Sequence, residues 1–580
     1  MSDVAAVRSR APSISSSGSW VGRASVWSWR HTVLFAVTLA ALAALPLTVK
    51  HWPSQDGQNH LAVAHVLLHY GDPGSPFPAY VSIQQGLRPS TALYSILCLL
   101  ARWMPLSVAE RGLVSAGIAL LPLSLLLLVR RTLPRRSLAV FLGLPFATGW
   151  AFGMGFLSFQ LSIAFGVFAL ALGWSPEGAP RGRTVFGIGP WHPLAALCYV
   201  VCVWFHPVAA ALIGLAFLLL EWRRVLSFAE WPRLAAVVAP GVIFFAITYF
   251  NADASAAQTN TVPLETNWSD PASLIGAIFD QHVAFSPLEL VPRVLAAGVL
   301  GVFAYRDLRA RWGAGLRGAW PFGAGAEGGL ARTFLVFFAL YFVLPNAFRG
   351  WFYCSTRFLL FATFLLPALA EIPPRLLRRI PAWGVALSAV VLGVQLPEVL
   401  HGSRQMEDIE AVGAALPRGA KVIPMDFMDY LTAVLGPKPL GHAWAELVVE
   451  RDAMASQLFA AGKPRMGGER FRTLSFHPGL LDPAGALPWS THETWVEEAR
   501  NCGGGLTPRC EELLRAREET LEAAADKYDY VLMIDPPEYA KSILAGRLSL
   551  RAHEGSAWLY SIVPAGSPEP ARSASAARTK

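Results

Sequence analysis

Long apolar runs alternate with short polar or arginine-rich segments over the first 400 residues of the chain. A helix needs about 20 mostly apolar residues to cross the hydrocarbon layer of a membrane. A shorter run at 91–104 contains Arg102, and its pattern leaves open whether it crosses. The pattern predicts a polytopic α-helical membrane protein with about 11–13 transmembrane helices. The long runs occupy residues 32–49, 111–129, 138–152, 155–174, 192–205, 207–221, 234–250, 288–305, 333–348, 357–371 and 382–397.

From residue 401 onward the pattern changes. AKVIPMD and YDYVLMID are short apolar runs bounded by turn residues, which is typical of buried strands, and EELLRAREETLEAAADKY between them has a helical period. This part also carries more acidic than basic side chains. We therefore expect an extracytoplasmic α/β domain over residues 401–563. The small polar residues of 564–580 predict a disordered tail.

Composition supports membrane insertion and excludes a nucleic-acid partner. Hydrophobic residues make up 54% and charged residues 15% of the 580 positions, whereas soluble domains average about 25% charged. The net charge is +8, but the arginines gather at the ends of apolar runs rather than in one patch. Residues 1–31 are rich in Ser and Arg, which predicts a disordered cytoplasmic tail. The following run continues to Lys50 without a cleavage site, as expected for an uncleaved span.

The arginine clusters also predict an orientation. Those at 130–136, 181–183, 223–233, 306–317 and 375–379 mark cytoplasmic segments by the positive-inside rule. Poorly basic segments lie between them, and the region after residue 400 is poorly basic too. We expect the membrane domain to cover 32–400, with a first external loop at 50–90. A cytoplasmic N-terminus and an external C-terminus need an odd number of spans, which the eleven runs satisfy if 91–104 does not cross.

The first external loop contains the stretch PSQDGQNHLAVAHVLL, in which Asp56 precedes an amphipathic pattern. One interpretation makes Asp56 the N-cap of a helix that lies on the membrane interface. The other makes it a general base held at the outer surface, where a carboxylate can take a proton from an acceptor. The two interpretations are compatible. His65 and His69 have i,i+4 spacing but lack an HExxH pattern, so no metal site is predicted.

Two later external segments supply further candidates. ETNWSDPASLIGAIFDQHVAF brings Asp270, Asp280 and His282, and NAFRGWFYCSTRFLLF brings Arg349 and Arg357. Arg357 opens an apolar run, where an arginine is costly unless it is paired, so a phosphate or a carboxylate is a natural partner. The alternative is that its side chain snorkels to the interface.

Cys502 and Cys510, in NCGGGLTPRC, lie in the expected external domain. An oxidising compartment favours a disulfide between them, and two unpaired thiols are the alternative. No P-loop, GxSxG elbow or CxxC pair occurs in the chain. GAGAEG at 323–328 lacks the preceding strand that a dinucleotide site needs.

The order of these features resembles the GT-C superfamily of integral-membrane glycosyltransferases. The likeness is greatest to bacterial relatives of the dolichyl-phosphate-mannose protein mannosyltransferases and of the aminoarabinose lipid A transferases. It rests on PSQDGQNHLAVAHVLLHYGDP, which contains the Asp-Gly-x-x-His-Leu opening with Asp56 and His60. It also rests on GMGFLSFQLSIAFGVFALAL, CSTRFLLFATFLLPAL and YDYVLMIDPP with SAWLYSI.

The resemblance implies inverting transfer of a sugar from a polyprenyl-phosphate donor to an acceptor on the external membrane face, with Asp56 as the candidate base. It places the phosphate on Arg349 or Arg357. The family often has paired acidic residues in this loop, whereas here Gly57 follows Asp56. A second carboxylate then comes from Asp72, Asp270 or Asp280, or activity has been lost. The expected substrate-binding residues are His60, Asp72, Asp270, Asp280, His282, Arg349 and Arg357.

These expectations define a bacterial inner-membrane protein whose partners are a polyprenyl-phosphate-linked sugar, the lipid bilayer and an envelope glycan, lipid or protein acceptor. No cofactor and no metal ligands are predicted, and a requirement for a divalent metal is left open. Two alternatives from other classes remain. One is a non-catalytic membrane scaffold or sensor with a GT-C-like body. The other is a lipid or solute transporter, which predicts mid-span charges and internal repeats that the sequence hardly shows.

Overall fold

The computed structural model describes most of the chain. The two predicted tails lie largely outside the described residues, as do Arg349, Cys502 and Cys510. The described residues are 27–84, 88–174, 189–226, 231–251, 266–313, 325–348, 353–426, 440–455, 458, 474–477, 527–536 and 547–563.

Helices account for most of the described structure. In chain order the α-helices are α1 (Trp29–Ala44), α2 (Gly57–His69), α3 (Ala92–Leu100), α4 (Leu106–Thr132), α5 (Trp150–Gly153), α6 (Leu157–Gly173), α7 (His192–Phe205), α8 (Pro207–Leu220), α9 (Trp222–Leu226), α10 (Trp231–Phe250), α11 (Pro271–Asp280), α12 (Leu290–Gly313), α13 (Ala326–Val343), α14 (Cys354–Leu369), α15 (Pro374–Leu377), α16 (Ile380–Gly413) and α17 (Glu446–Arg451). The 3₁₀ helices are Leu45–Thr48, Phe77–Ala79, Pro134–Thr148, Pro287–Glu289 and Ala443–Ala445.

The described strands form three small sheets. The strands are β1 (Val81–Ile83), β2 (Thr266–Asn267), β3 (Ala347–Phe348), β4 (Val422–Asp426), β5 (Leu474–Phe476), β6 (Tyr530–Ile534), β7 (Leu548–Glu554) and β8 (Ala557–Ile562). The largest sheet has the order β4-β6-β8-β7, with β4 and β6 parallel and the other pairs antiparallel. Its strands include the predicted AKVIPMD and YDYVLMID segments.

The predicted membrane class is confirmed. Among the described residues, six helices are long and apolar enough to cross a membrane, and five shorter ones of 10–17 residues are apolar as well. Every predicted run falls wholly or mostly on one of these helices except 138–152, which forms most of the 3₁₀ helix Pro134–Thr148 and the start of α5. The protein is therefore an integral membrane protein with a helical membrane body and a small α/β part near its C-terminus.

The 3₁₀ helix Pro134–Thr148 is long for its kind, at 15 residues. A 3₁₀ helix rises by about 2 Å per residue, so this segment spans about 30 Å, the thickness of the hydrocarbon layer. Its side chains are almost all buried, and α16 packs closely against it through Gly384. A Cβ atom there would lie 2.4 Å from the Phe141 carbonyl oxygen. Close packing against neighbouring helices stabilises the 3₁₀ conformation of this segment.

The run at 91–104 forms a helix that is too short to cross a membrane by itself. Its helix, α3, has nine residues and is therefore about 14 Å long, roughly half of what a span requires. The chain turns at residues 101–104, and α4 begins at Leu106. The length of α3 agrees with an odd number of spans.

Charged side chains from distant segments meet at one end of the bundle. Arg136 is buried, and its Nη2 atom lies 3.0 Å from Glu327, 3.3 Å from Asp307 and 3.4 Å from Glu371. Its Nη1 atom donates to the carbonyl of Leu369 at 2.9 Å. The predicted cytoplasmic segments 130–136 and 375–379, and the described part of 306–317, therefore adjoin this end. Exposed tryptophans flank both ends, as in membrane interfaces: they include Trp29, Trp103, Trp191, Trp231, Trp268 and Trp383.

The first loop and the C-terminal part interlock at the opposite end. Strand β1 of the loop pairs with β5 in antiparallel fashion. The turn between β7 and β8 contacts α16, where the backbone N–H of Ser556 donates to Asp408 Oδ2 at 3.1 Å. Helix α16 continues to Gly413, so the predicted boundary at residue 401 lies within a helix. The change of composition at 401 coincides with the more polar final part of α16 rather than with a new element.

Candidate active site

A turn of glycines positions the backbone of Asp56. The N–H groups of Gln55 and Asp56 donate to the carbonyls of Gly153 and Met154, at 2.9 and 3.1 Å. Gly155 closes this turn with a φ of +73°, a value that L side chains rarely adopt. A Cβ atom on Gly155 would also lie 2.6 Å from the backbone nitrogen of Gly57. Position 155 therefore requires glycine, because the first external loop packs directly against it.

The side chain of Asp56 does not cap a helix. Asp56 occupies the N-cap position of α2 but makes no side-chain capping hydrogen bond. Its Oδ1 atom instead lies 3.2 Å from Nδ1 of His442, and the two side chains are 15% and 3% exposed. His442 directly precedes the 3₁₀ helix Ala443–Ala445 of the C-terminal part. The carboxylate thus lies at the interface between the first loop and the C-terminal part.

Arg357 lies buried near this carboxylate, in the first turn of α14. Its Nη1 atom is 3.0 Å from Nε2 of His206, and its guanidinium carbon is 5.2 Å from the ring centres of both Phe156 and Phe159. Because a guanidinium only donates, the His206 nitrogen must accept, which requires a neutral imidazole. Arg357 and Asp56 also interact electrostatically. Arg357 therefore supplies positive charge beside the carboxylate.

His60 lies one helical turn after Asp56, on α2. Its Nδ1 atom is 2.9 Å from the hydroxyl oxygen of Tyr94 on α3. His60 also lines a cleft beneath the start of α2, together with Ser54, Gly57 and Glu110. The His of the predicted Asp-Gly-x-x-His-Leu opening therefore belongs to the same region as Asp56.

Two of the predicted acidic residues are engaged elsewhere. Asp72 follows the far end of α2, about 20 Å along the helix from Asp56, and its Oδ2 atom lies 2.7 Å from Nδ1 of His69. Asp270 caps α11 and accepts hydrogen bonds from the N–H groups of Ala272 and Ser273, at 2.9 and 3.0 Å. The hydrogen bonds from Ser273 hold the pKa of Asp270 below its usual value. Neither residue supplies a carboxylate beside Asp56.

The remaining predicted residues lie near the end of α11. Asp280 is the last residue of that helix, and His282 follows it. His282 is buried with its ring edge-on to Phe146, at 5.3 Å between ring centres. Burial, with the nearby Arg293 guanidinium, lowers the pKa of His282 to about 3. His282 is therefore neutral at physiological pH and offers no positive charge to a phosphate. Arg349 lies outside the described residues.

Two residues of this region were not predicted from the sequence. His442 lies far along the chain from Asp56, and no motif connects the two. Glu110 is a lone acidic residue near the start of α4, only 4% exposed, with its Oε1 atom against Gly57. An ionisable residue next to an apolar run is itself a signal of function. That signal in AERGLV would have identified Glu110 as a candidate.

The chemistry that this arrangement permits follows from its charges. A carboxylate with little solvent access can accept a proton from an acceptor hydroxyl. A nearby arginine favours an anion such as phosphate. Within the described residues, no group of three or more His, Cys, Asp or Glu side chains is placed to hold a metal ion.

Comparisons with known proteins found similarity in structure only. No family model matches the chain, and no curated protein matches its sequence. The crystal structure of ArnT from Cupriavidus metallidurans in the apo state is similar with a TM-score of 0.48 and 12% identity, covering 92% of this chain and 97% of that one. The structure of ArnT bound to undecaprenyl phosphate gives a TM-score of 0.46 and 12% identity, covering 93% and 98%. ArnT is an aminoarabinose lipid A transferase, the group that the sequence resembles. Similarity of this degree assigns no residue role and no activity to the chain.

Proposed function

We propose that the protein is a GT-C-type glycosyltransferase that moves a sugar from a polyprenyl-phosphate donor to an envelope acceptor on the external membrane face. The observation that carries this proposal is the carboxylate of Asp56. It stands at a helix N-terminus without capping it, lies instead 3.2 Å from His442, and interacts electrostatically with the buried Arg357. An interfacial helix cap would direct the same carboxylate at its own backbone.

Asp56 acts as the general base in this mechanism. As the acceptor oxygen attacks the anomeric carbon, its proton passes to the Asp56 carboxylate. The bond between the anomeric carbon and the phosphate oxygen breaks, and the polyprenyl phosphate leaves with the electron pair. Direct displacement of this kind inverts the anomeric centre.

Arg357 balances the charge of the leaving phosphate. Its guanidinium is held between two phenylalanine faces and His206 in the first turn of α14. Such packing fixes the orientation of the charge before the donor binds, which is how preorganised electrostatics lower a barrier.

His442 links the C-terminal part to the reaction. Its imidazole lies 3.2 Å from the Asp56 carboxylate and is almost fully buried. The C-terminal part therefore orients the base and covers it from bulk water, which limits competing hydrolysis of the donor.

The orientation of the protein is part of the proposal. Segments rich in arginine adjoin the end of the bundle that holds Arg136, which we assign to the cytoplasm by the positive-inside rule. Asp56 and the C-terminal part then face the external side of the bacterial inner membrane. A non-catalytic scaffold is the second candidate, and it predicts that Asp56 can be replaced without any loss.

A transfer assay tests the proposal. Wild type, Asp56→Asn and Asp72→Asn are purified in lipid and incubated with radiolabelled polyprenyl-phosphate sugars and envelope acceptors. Asp72→Asn is a matched control, because it removes an exposed carboxylate from the same loop. We expect transfer by wild type and by the control, and its collapse in Asp56→Asn with folding unchanged. Equal transfer by all three proteins would show that Asp56 is not the base. If none of the three proteins transferred sugar from any donor of the panel, the scaffold function would be favoured.

A further inference from the structure

A partly open cleft lies directly beneath the first residue of α2. Its cavity volume is about 10 Å³, which is room for a single water-sized group. Its polar lining comes from the first loop, α4 and α6, and its remaining walls are mostly apolar. The residues that concern its chemistry are Ser54, Gly57, His60, Glu110 and Gln160.

Three of the lining side chains are buried without a hydrogen-bond partner among the described residues. These are the Oγ atom of Ser54, the Oε2 atom of Glu110 and the Oε1 atom of Gln160, whose residues are 1%, 4% and 4% exposed. A buried polar group left unpaired costs about 1–3 kcal/mol, so each is normally avoided in a folded protein. Three in one cleft indicate that the cleft receives a partner.

Gly57 keeps this cleft open towards the reacting groups. A Cβ atom at this position would lie 2.3 Å from Ser54 Oγ and 2.6 Å from Glu110 Oε1. Any side chain larger than hydrogen would therefore fill the space between the two groups. Because Gly57 directly follows Asp56, the cleft adjoins the proposed base.

The polar atoms that line the cleft determine which chemical group can bind there. The glutamine oxygen only accepts hydrogen bonds, the protonated carboxyl group accepts through one oxygen and donates through the other, and the serine hydroxyl both accepts and donates. An anion is disfavoured by these oxygens. A neutral hydroxyl can donate to them, and the apolar walls, which include Leu93 and Leu97, suit the C–H groups around it. The narrow space favours a small substituent over a whole sugar ring.

We propose that this cleft is a subsite for a hydroxyl or hydroxymethyl substituent of the substrate, with Glu110, Ser54 and Gln160 as the groups that bind it. The inference rests on the proposed function in that the substrate is a sugar. The substituent belongs either to the transferred sugar of the donor or to an acceptor glycan. Glu110 also supplies a second carboxyl group beside Gly57, where the first loop has no acid next to Asp56.

Carbodiimide labelling tests the subsite without requiring turnover. N,N′-dicyclohexylcarbodiimide reacts with protonated carboxyl groups in apolar surroundings, and mass spectrometry of peptides locates the adduct. The purified full chain is labelled alone, then with a polyprenyl-phosphate sugar, with the same lipid phosphate lacking sugar, and with methyl glycosides. We expect Glu110 to be labelled. We also expect a sugar-bearing compound to slow its labelling at least about tenfold, which corresponds to about 1.4 kcal/mol of free energy.

The protectants distinguish the two sources of the substituent. Protection by the sugar-bearing lipid alone assigns the subsite to the donor, and protection by methyl glycosides assigns it to an acceptor-like saccharide. Failure of Glu110 to react, absence of protection by every sugar, or equal protection by the lipid phosphate without sugar would overturn the proposal. Protection by glycosides in a protein that transfers nothing would support the subsite while the proposed function fails.

Variants supply a second measurement. Glu110→Leu removes a buried unpaired carboxyl, so we expect thermal stability to be retained or raised while KM for the sugar-bearing substrate rises at least about tenfold. Glu110→Gln keeps an acceptor oxygen, and we expect an intermediate KM. Asp72→Asn is the control, because Asp72 lies beyond the far end of α2 and does not line the cleft. If the wild-type protein transfers sugar and Glu110→Leu has an unchanged KM, the subsite is contradicted while the proposed function is not.

Discussion

We expect Glu446 to make the stability of the protein depend on pH. It is the first residue of α17, is 2% exposed, and its Oε1 atom lies 3.4 Å from Nδ1 of the buried His51. Burial, together with the negative charges of Glu450 and Glu410, raises the pKa of the Glu446 carboxyl to about 8. Burial also lowers the pKa of His51. Both groups are therefore neutral in the folded protein near neutral pH.

The direction of the effect follows from these pKa values. In the unfolded chain the Glu446 carboxyl loses its proton above its ordinary pKa of 4.5, whereas the folded protein retains it up to about pH 8. The unfolded state then binds fewer protons, so stability falls as pH rises through this window and levels off above it. His51 acts in the opposite direction, and only below about pH 6.5. Between pH 6.5 and 8 the loss assigned to Glu446 is about 2 kcal/mol, at about 1.4 kcal/mol per pH unit.

Thermal unfolding of wild type and Glu446→Gln in the same detergent, from pH 6.5 to 8, measures this loss. The amide cannot ionise, so we expect the variant to gain stability relative to wild type by about 2 kcal/mol across the window. Glu554→Gln is the control, because Glu554 is an exposed acid on β7 and is not among the charges that raise the pKa of Glu446. Parallel curves for wild type and Glu446→Gln would refute the reasoning, since they would show that Glu446 has the same protonation in both states.

Three further changes act on the proposed base and its surroundings. Gly155→Ala puts a Cβ atom at positive φ against the loop that holds Asp56, and we expect a loss of about 2 kcal/mol or more in the free energy of unfolding, measured by thermal denaturation; no loss would contradict the close fit. His442→Ala removes the partner of Asp56 and leaves a cavity in place of a buried ring; we expect kcat for transfer to fall about tenfold and the melting temperature to fall as well, whereas unaltered kcat would exclude an orienting role. Arg357→Lys retains the charge but loses the planar group that meets His206 and two phenylalanines; we expect a lower melting temperature and weaker donor binding, and wild-type values for both would contradict this contact set.

The membrane body was largely predictable because burial in lipid imposes one simple pattern. Runs such as 234–250 and 382–397 fall within α10 and α16. The strands β4 and β6 also arise where turn residues bound short apolar segments. The run at 138–152 was predicted as a span, but its 3₁₀ geometry was not, because that geometry depends on packing against neighbours such as α16 rather than on local periodicity.

The site was less predictable because its contacts join distant parts of the chain. The sequence marked Asp56 and Arg357, since a lone carboxylate at a helix start and a lone arginine at the edge of a span are unusual. It offered Asp72 as a second carboxylate because of its nearness in sequence, yet α2 carries that residue away. Glu110 lies against Gly57 only because of how α4 packs, and His442 lies beside Asp56 only because of how the C-terminal part folds.

The central claim is that Asp56 removes a proton from the acceptor while Arg357 holds the charge of the donor phosphate. The most direct measurement is the single-turnover rate of sugar transfer by wild type and Asp56→Asn in lipid nanodiscs, with donor binding determined separately in each. The account predicts donor binding within about twofold and a transfer rate lower by about 10²–10⁴-fold, the usual contribution of a general base. Equal rates at equal donor occupancy would contradict it.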